Sequence, residues 1–199
     1  DKCADIIADS IVDTILTQDP NGRVASEVFV AGKNIVIGGE INSKVKLSYK
    51  DYEKIVKDAL AHIGYDGKSN FTKEQCLHPD DIEVKVCLNQ QSSDINQGVD
   101  QSDGEIGAGD QGIMFGFASC EAKEFMPAAI TYARMLCEKV YKFAKANPDK
   151  LGVDIKTQVT IDYGSKDNFE NCKPQSIHTI VVSAPCVESM KIEELRALI

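Results

Sequence analysis

The sequence predicts an α/β (α+β) fold assembled from repeated β-α-β-β-α-β units, and three observations carry that prediction. Apolar periods of 3.6 residues alternate with periods of two, so amphipathic helices and half-buried strands take turns along the chain. Their order recurs: the first half reads helix, strand, strand, helix, strand, and the second reads strand, helix, strand, strand, helix. Between the halves, "QSSDINQGVDQSDGEI" (91–106) is polar with almost nothing to bury, as in a loop. Each half is one frame of the same unit with an end element missing. The implied architecture is two similar layers, each a sheet with helices on one face.

Residues 3 to about 18 form the first helix, with Ala4, Ala8, Ile11, Val12 and Ile15 as its apolar stripe and Pro20 as its stop. Asp5, Asp9 and Asp13 recur four residues apart on a neighbouring face, which reads as a solvated acidic surface. "RVASEVFVA" and "NIVIGGEI" alternate as two strands and meet at Gly32-Lys33, a hairpin signal. Ser48 caps the next helix with Asp51 at N3. Tyr52, Ile55, Val56, Ala59, Leu60 and Ile63 give that helix its apolar face, and Gly64 ends it. "IEVKVCLN" (82–89) is a third strand. Beyond the polar loop, "GIMFGFA" reads as a buried strand and 127–146 as a helix stopped by Asn147-Pro148. "TQVTIDY" and "HTIVVSA" are two more strands, and "ESMKIEELRALI" begins another helix.

The 199 residues are 43 % apolar, enough for one large or two small domains. The formal net charge is −9 with no Lys/Arg cluster, which argues against nucleic acid as a partner. No run approaches 18 apolar residues and no secretory pattern is visible, so the expectation is a cytoplasmic protein without a membrane partner. Seven cysteines lack C-x-x-C pairs and zinc spacing, and are expected to be reduced, mostly buried thiols. Asp1 and Ile199 both fall inside helical patterns, so the chain is expected to be a piece of a longer one.

Gly107, Gly109 and Gly112 stand at G-x-G-x-x-G spacing. A dinucleotide-binding turn needs a strand before these glycines and a helix starting within them. Here a loop precedes and an apolar strand pattern follows, so that reading is rejected. Glu27 and Glu40 are flanked by apolar strand residues, in "VASEVFV" and "IVIGGEI". Each either faces water on the polar side of a sheet or is paired, protonated or on a metal. Asp110 follows two glycines that permit close backbone approach to a ligand, and is otherwise a turn aspartate. Lys156 sits where a loop enters a strand, a place where lysine is usually solvated.

"GAGDQGIMFGFA" (107–118) closely resembles the signature segment of S-adenosylmethionine synthases, the methionine adenosyltransferases, of bacterial type. "DK" followed by "ADIIADSIVD", then "RVASEVFV", "IGGEI", "HIGY", "QSSDINQGVD", "DIKTQVTIDY" and "HTIVVS" resemble that family in order and spacing across essentially the whole chain. The resemblance implies three related α/β domains, about two of them present. They would be an N-terminal domain over 1–91 without its first strand, a flexible active-site loop over 92–110, and a central domain over 111–199, incomplete at its C-terminus. It implies synthesis of S-adenosylmethionine from ATP and L-methionine, with hydrolysis of the tripolyphosphate product to pyrophosphate and phosphate. Mg2+ and K+ are the implied cofactors, and a homodimer or homotetramer with shared active sites the implied assembly.

Matched position by position, the resemblance gives Asp1 to magnesium and Glu27 to the potassium site. Glu40 and Gln91 match methionine-binding positions, and Asp110 would contact substrate near the methionine. Asp154 and Lys156 match an ATP-binding "DxK" stretch, with Lys156 on the phosphates as the catalytic cation. Ser93 stands where the family usually has proline, and Phe117 replaces a common tyrosine. The alternative is a non-catalytic paralogue or a regulatory and assembly subunit of the same fold. Eroded site positions would favour it, yet every matched position keeps the family residue. The apolar strand faces around Glu27 and Glu40 predict a two-fold dimer through the sheet, with Val36 and Val28 as candidate contacts.

Overall fold

The computed structural model describes residues 2–67, 71, 76–90 and 111–199, and the chain divides into two compact units. In the first unit, α1 (Lys2–Gln18) leads into β1 (Arg23–Ala31), β2 (Asn34–Asn42), α2 (Tyr49–Ile63) and β3 (Glu83–Gln90). The hairpin turn falls at Gly32-Lys33, with Gly32 at φ 55°, in the left-handed region that glycine enters without steric cost. β1 pairs antiparallel with β2, and β2 pairs parallel with β3, so α2 is the crossover between parallel neighbours.

The core of this unit lies between the sheet and the two helices. α1 packs on β1 and on α2. Ile7, Ile11 and Ile15 of α1 are fully buried, as are Ile35 and Ile37 of β2 and Val56 and Leu60 of α2. Ile7 is the centre of the α1 stripe, which the expected set of Ala4, Ala8 and Val12 flanks as half-buried neighbours. Asp5, Asp9 and Asp13 are exposed, as a solvated face requires. Ser48 and Asp51 form the expected capping box, and Tyr49 Oη donates to the Val84 carbonyl at 3.0 Å, fixing the start of α2 to β3.

α1 ends in a polar clamp. Asp19 is buried, and its Oδ2 accepts from Ser43 Oγ and from the Lys44 amide, both at 2.8 Å. The Lys44 amide, then the Ser43 hydroxyl, hold this carboxyl below its usual range. The clamp ties the end of α1 to the chain leaving β2.

In the second unit, α3 (Ala128–Ala146) packs on β4 (Lys156–Asp162), which pairs antiparallel with β5 (Ser176–Ser183). Thr157 Oγ1 donates to the Ala133 carbonyl at 2.8 Å, adding a polar tie to the α3–β4 packing. A short helix, α4 (Lys166–Glu170), connects the two strands, and α5 (Ile192–Leu198) follows. The sequence pattern misses α4 because five residues are too few to show a 3.6 period. α5 starts at Ile192 instead of near Glu188, since Val187–Met190 make a separate turn closed by the Met190 amide on the Val187 carbonyl.

Two expectations fail outright. The segment 112–118 is not a buried strand: Ile113, Met114, Phe115 and Phe117 are between 78 and 93 % exposed, and no described strand pairs with it. Periodicity reports apolar side chains, but a strand also needs a neighbour for its backbone groups. The cysteines are free, yet none is buried: Cys87 and Cys120 are exposed and the other five half-buried. Alternation also separates the two valines. Val28 pairs with fully buried Ile37 and so faces the helices, whereas Val36, in the next row, faces the open side.

Candidate functional site

The open face of the first sheet follows from its register. The strands carry three parallel rows on the side away from the helices: Phe29, Val36 and Lys85; then Glu27, Gly38 and Cys87; then Ala25, Glu40 and Asn89. Their burial agrees. The β1 and β3 members are exposed, and those of central β2 are half-buried. Glu27 and Glu40 are therefore diagonal neighbours on one face, about 7–8 Å apart by sheet geometry. Of the two readings open for these carboxylates, the sheet's solvent-facing side is the one observed. Two carboxylates so placed, beside the small Gly38, make a patch that attracts a cationic group.

"GGE" sets this geometry through the backbone. Gly39 has φ 117°, and a Cβ there would stand 2.0 Å from the Ala25 carbonyl oxygen. Only glycine lets β1 approach so closely, and Glu40 is the next residue. Gly38 differs: the nearest atom to a Cβ at that position is the Cys87 carbonyl oxygen, 4.0 Å away.

In the second unit, Lys156 opens β4 where a loop enters the strand. Its Nζ donates to Asp154 Oδ2 at 2.6 Å, and both side chains are mostly exposed. An ion pair this exposed is worth about 0–1 kcal/mol, so Lys156 can change partners cheaply. The structure thus brings together Glu27 with Glu40, and Asp154 with Lys156, each pair within its own unit. Asp1, Gln91 and Asp110 lie outside the described residues, as do Ser93 and the expected gate over 92–106.

The donor set fits the implied cations only in part. Glu27 offers a hard carboxylate oxygen of the type that K+ and Mg2+ prefer. Among the described residues, however, no group of three or more His, Cys, Asp or Glu side chains could hold a metal. One carboxylate does not by itself make a metal site.

Sequence reasoning missed a second polar cluster. Glu121 Oε2 accepts from Tyr163 Oη at 2.6 Å and from the Ala128 amide at 2.9 Å, capping α3, whose N-cap residue Pro127 makes no side-chain cap. The Tyr163 hydroxyl, then the Ala128 amide, keep the Glu121 carboxyl below its usual range. Desolvation, with the Glu121 charge behind it, pushes Tyr163 up to about 12. No local spacing signals this cluster, because its members are 42 residues apart.

Fold and sites together define an α+β protein of two units, one with carboxylates displayed on an open sheet face and one with a cation at a strand mouth. Comparison with known proteins makes this specific. The N-terminal domain of S-adenosylmethionine synthetase matches residues 1–93, and its central domain matches residues 105–199. The S-adenosylmethionine synthase of Mesoplasma florum is 39 % identical over 200 residues, spanning 100 % of this chain and 49 % of that protein. That of Zymomonas mobilis is 39 % identical over 201 residues, spanning 99 % and 48 %. A solved structure, described as an unusual S-adenosylmethionine synthetase from Campylobacter jejuni, superposes with a TM-score of 0.90 at 70 % identity, covering 100 % of this chain and 48 % of that one. The chain belongs to the S-adenosylmethionine synthetase family. It spans about half the length of the relatives it matches.

Proposed function

We propose that this chain supplies the N-terminal and central domains of a methionine adenosyltransferase. The domains fall at 1–91 and 111–199, joined through 92–110, and the substrates are ATP and L-methionine. The observation that carries the reading is Glu40, displayed beside Glu27 on an open face and preceded by Gly39, where a side chain would strike the Ala25 carbonyl. An anionic face suits a substrate with an ammonium group and a product with a sulfonium.

In the proposed reaction the methionine sulfur attacks C5′ of ATP. A carbon–sulfur bond forms and the C5′–oxygen bond breaks, its electron pair leaving with tripolyphosphate. A thioether has no proton to lose, so no general base is required. What the chain must supply is orientation, negative charge near sulfur and positive charge near phosphate. Glu40, with Gln91 and Asp110, is assigned to methionine. Asp154 and Lys156 are assigned to ATP, with Lys156 exchanging Asp154 for the departing phosphates. Asp1 is assigned to Mg2+ and Glu27 to K+, which when bound would neutralise the polyphosphate and fix the open face. Tripolyphosphate is then hydrolysed to pyrophosphate and phosphate.

The assembly proposed is a homodimer or a homotetramer with shared active sites, joined through the open face. Phe29 is 66 % exposed there and Val36 lies in the same row. A stable interface of this kind buries on the order of 2,000 Å² or more.

The test is Lys156→Ala in the chain completed with the C-terminal half that its relatives carry. Losing a cation on the leaving-group side is expected to remove roughly 2.7–4 kcal/mol of transition-state stabilisation, a 10²–10³-fold fall in kcat. Turnover equal to wild type rejects the assignment.

A further inference from the structure

Glu40 has a neighbour on each side in its own row of the open face, and the two differ in kind. On β1 the register sets Ala25 beside it, whose side chain is a methyl group. On β3 it sets Asn89 beside it, across a parallel pair whose strands lie about 4.8 Å apart. The alternation of β3 agrees. Val84 is buried, Val86 and Leu88 are half-buried, and Glu83, Lys85, Cys87 and Asn89 are exposed, so Asn89 shares the face of Glu40. The diagonal positions are just as uneven. Glu27 lies toward β1 and is an anion, whereas Cys87 lies toward β3 and carries a thiol, a weak donor. Gly38 stands between those two and brings no side chain of its own.

A free amino acid carries two opposite charges on one carbon. Where Glu40 takes the ammonium, the α-carboxylate must settle close by. The β1 side meets it with a methyl group and an anion. The β3 side meets it with a carboxamide, whose NH2 group has two donors. Arg23, the cation that begins β1 beyond Ala25, has its Nε buried. We propose that Asn89 is a specificity-determining residue of the methionine site, a role that rests on the synthase reading above. Its amide donates to the α-carboxylate of the substrate while Glu40 holds the ammonium. Asn89 thereby fixes which way round the amino acid lies, with its carboxylate toward β3.

The test is Asn89→Ala and Asn89→Asp in the chain completed with the C-terminal half of its relatives. Each is read with L-methionine and with L-methioninol, in which a hydroxymethyl group replaces the carboxylate. A hydrogen bond to a charged group carries about 10- to 100-fold in binding. The expected result is a rise of about tenfold or more in the KM for methionine with Asn89→Ala. Asn89→Asp should raise it further, because its charge repels the carboxylate. For methioninol, as substrate or as inhibitor competing with methionine, neither variant should weaken binding by more than about twofold. A merely structural asparagine gives another order: aspartate, nearly the same shape, is milder than alanine, and both ligands suffer alike. That order overturns the proposal, as does an unchanged KM in both variants. Where methioninol binds too weakly to measure, the order of the two variants on methionine decides alone. If Asn89→Ala does not fold, Asn89→Asp against the two ligands decides. A wild-type protein that makes no S-adenosylmethionine sinks the synthase reading and this role with it. An active wild type whose variants keep its KM for methionine sinks the role alone.

Discussion

Gly38 and Gly39 are adjacent, and replacing each with alanine should give opposite outcomes. At Gly39 the new methyl would meet the Ala25 carbonyl oxygen at 2.0 Å, on a residue whose φ is 117°. The backbone conformation alone costs a non-glycine residue about 1–3 kcal/mol. Forcing a methyl into a closed space adds about 1–3 kcal/mol more. For a unit of this size each kcal/mol lowers the unfolding midpoint by about 4–8 °C, so Gly39→Ala should lower it by about 10 °C or more. At Gly38 the methyl meets nothing nearer than 4.0 Å. Removing a strand glycine gains about 0.5–1 kcal/mol, so stability should hold or rise slightly. That methyl lies on the open face between Glu27 and Cys87, however, and should reduce activity. The assay is amide exchange of β1–β2 peptides across a temperature series, alongside turnover. Equal midpoint shifts for the two variants would refute the claim that Gly39 alone carries the close approach.

Three further outcomes follow from the same geometry. Asp19 and Glu121 are held below their ordinary values of 3.8 and 4.5, so they contribute stability at neutral pH that is lost as pH falls below about 4. Tyr163, raised from 10.0 to about 12, contributes stability up to about pH 10 that is lost as pH climbs toward 12. Urea midpoints against pH should show both limbs, and Glu121→Gln should flatten the acid one; an unchanged acid limb contradicts the assigned bonds. Val36→Asp should split the proposed dimer and abolish activity together, as read by sedimentation and turnover; an active monomer rules out the shared site. The 199-residue chain by itself should make no S-adenosylmethionine, which mass spectrometry of the product can check.

Much of this was readable without coordinates, for identifiable reasons. Alternation in "RVASEVFVA" and "NIVIGGEI", with a Gly32-Lys33 turn, specifies a hairpin through local chemistry. Ser48 and Asp51 announce a helix start because both capping bonds span only three residues. What escaped depends on partners far along the chain. Ile7 outranks Ala4 and Ala8 in the core because of where the sheet lies, not because of the helix itself. Val28 and Val36 look equivalent in sequence, and only the register against Ile37 separates their faces. "GIMFGFA" has the composition of a strand but no neighbour among the described residues. The Glu121–Tyr163 bond joins positions with no spacing rule between them. Glu27 and Glu40 were legible as unusual, since carboxylates amid apolar strand residues require an explanation, but their common face needed the pairing of Glu27 with Gly38.

The central claim is that the open-face carboxylate and the strand-mouth lysine serve one reaction. The most direct measurement combines Glu40→Gln and Lys156→Ala, singly and together, in the chain completed with the C-terminal half of its relatives. The enzyme is given ATP, methionine, Mg2+ and K+, with S-adenosylmethionine and tripolyphosphate products quantified. The account predicts product from wild type, with Glu40→Gln losing chiefly methionine affinity and Lys156→Ala losing chiefly kcat. Neutralising either group while both parameters stay at wild-type values would contradict it.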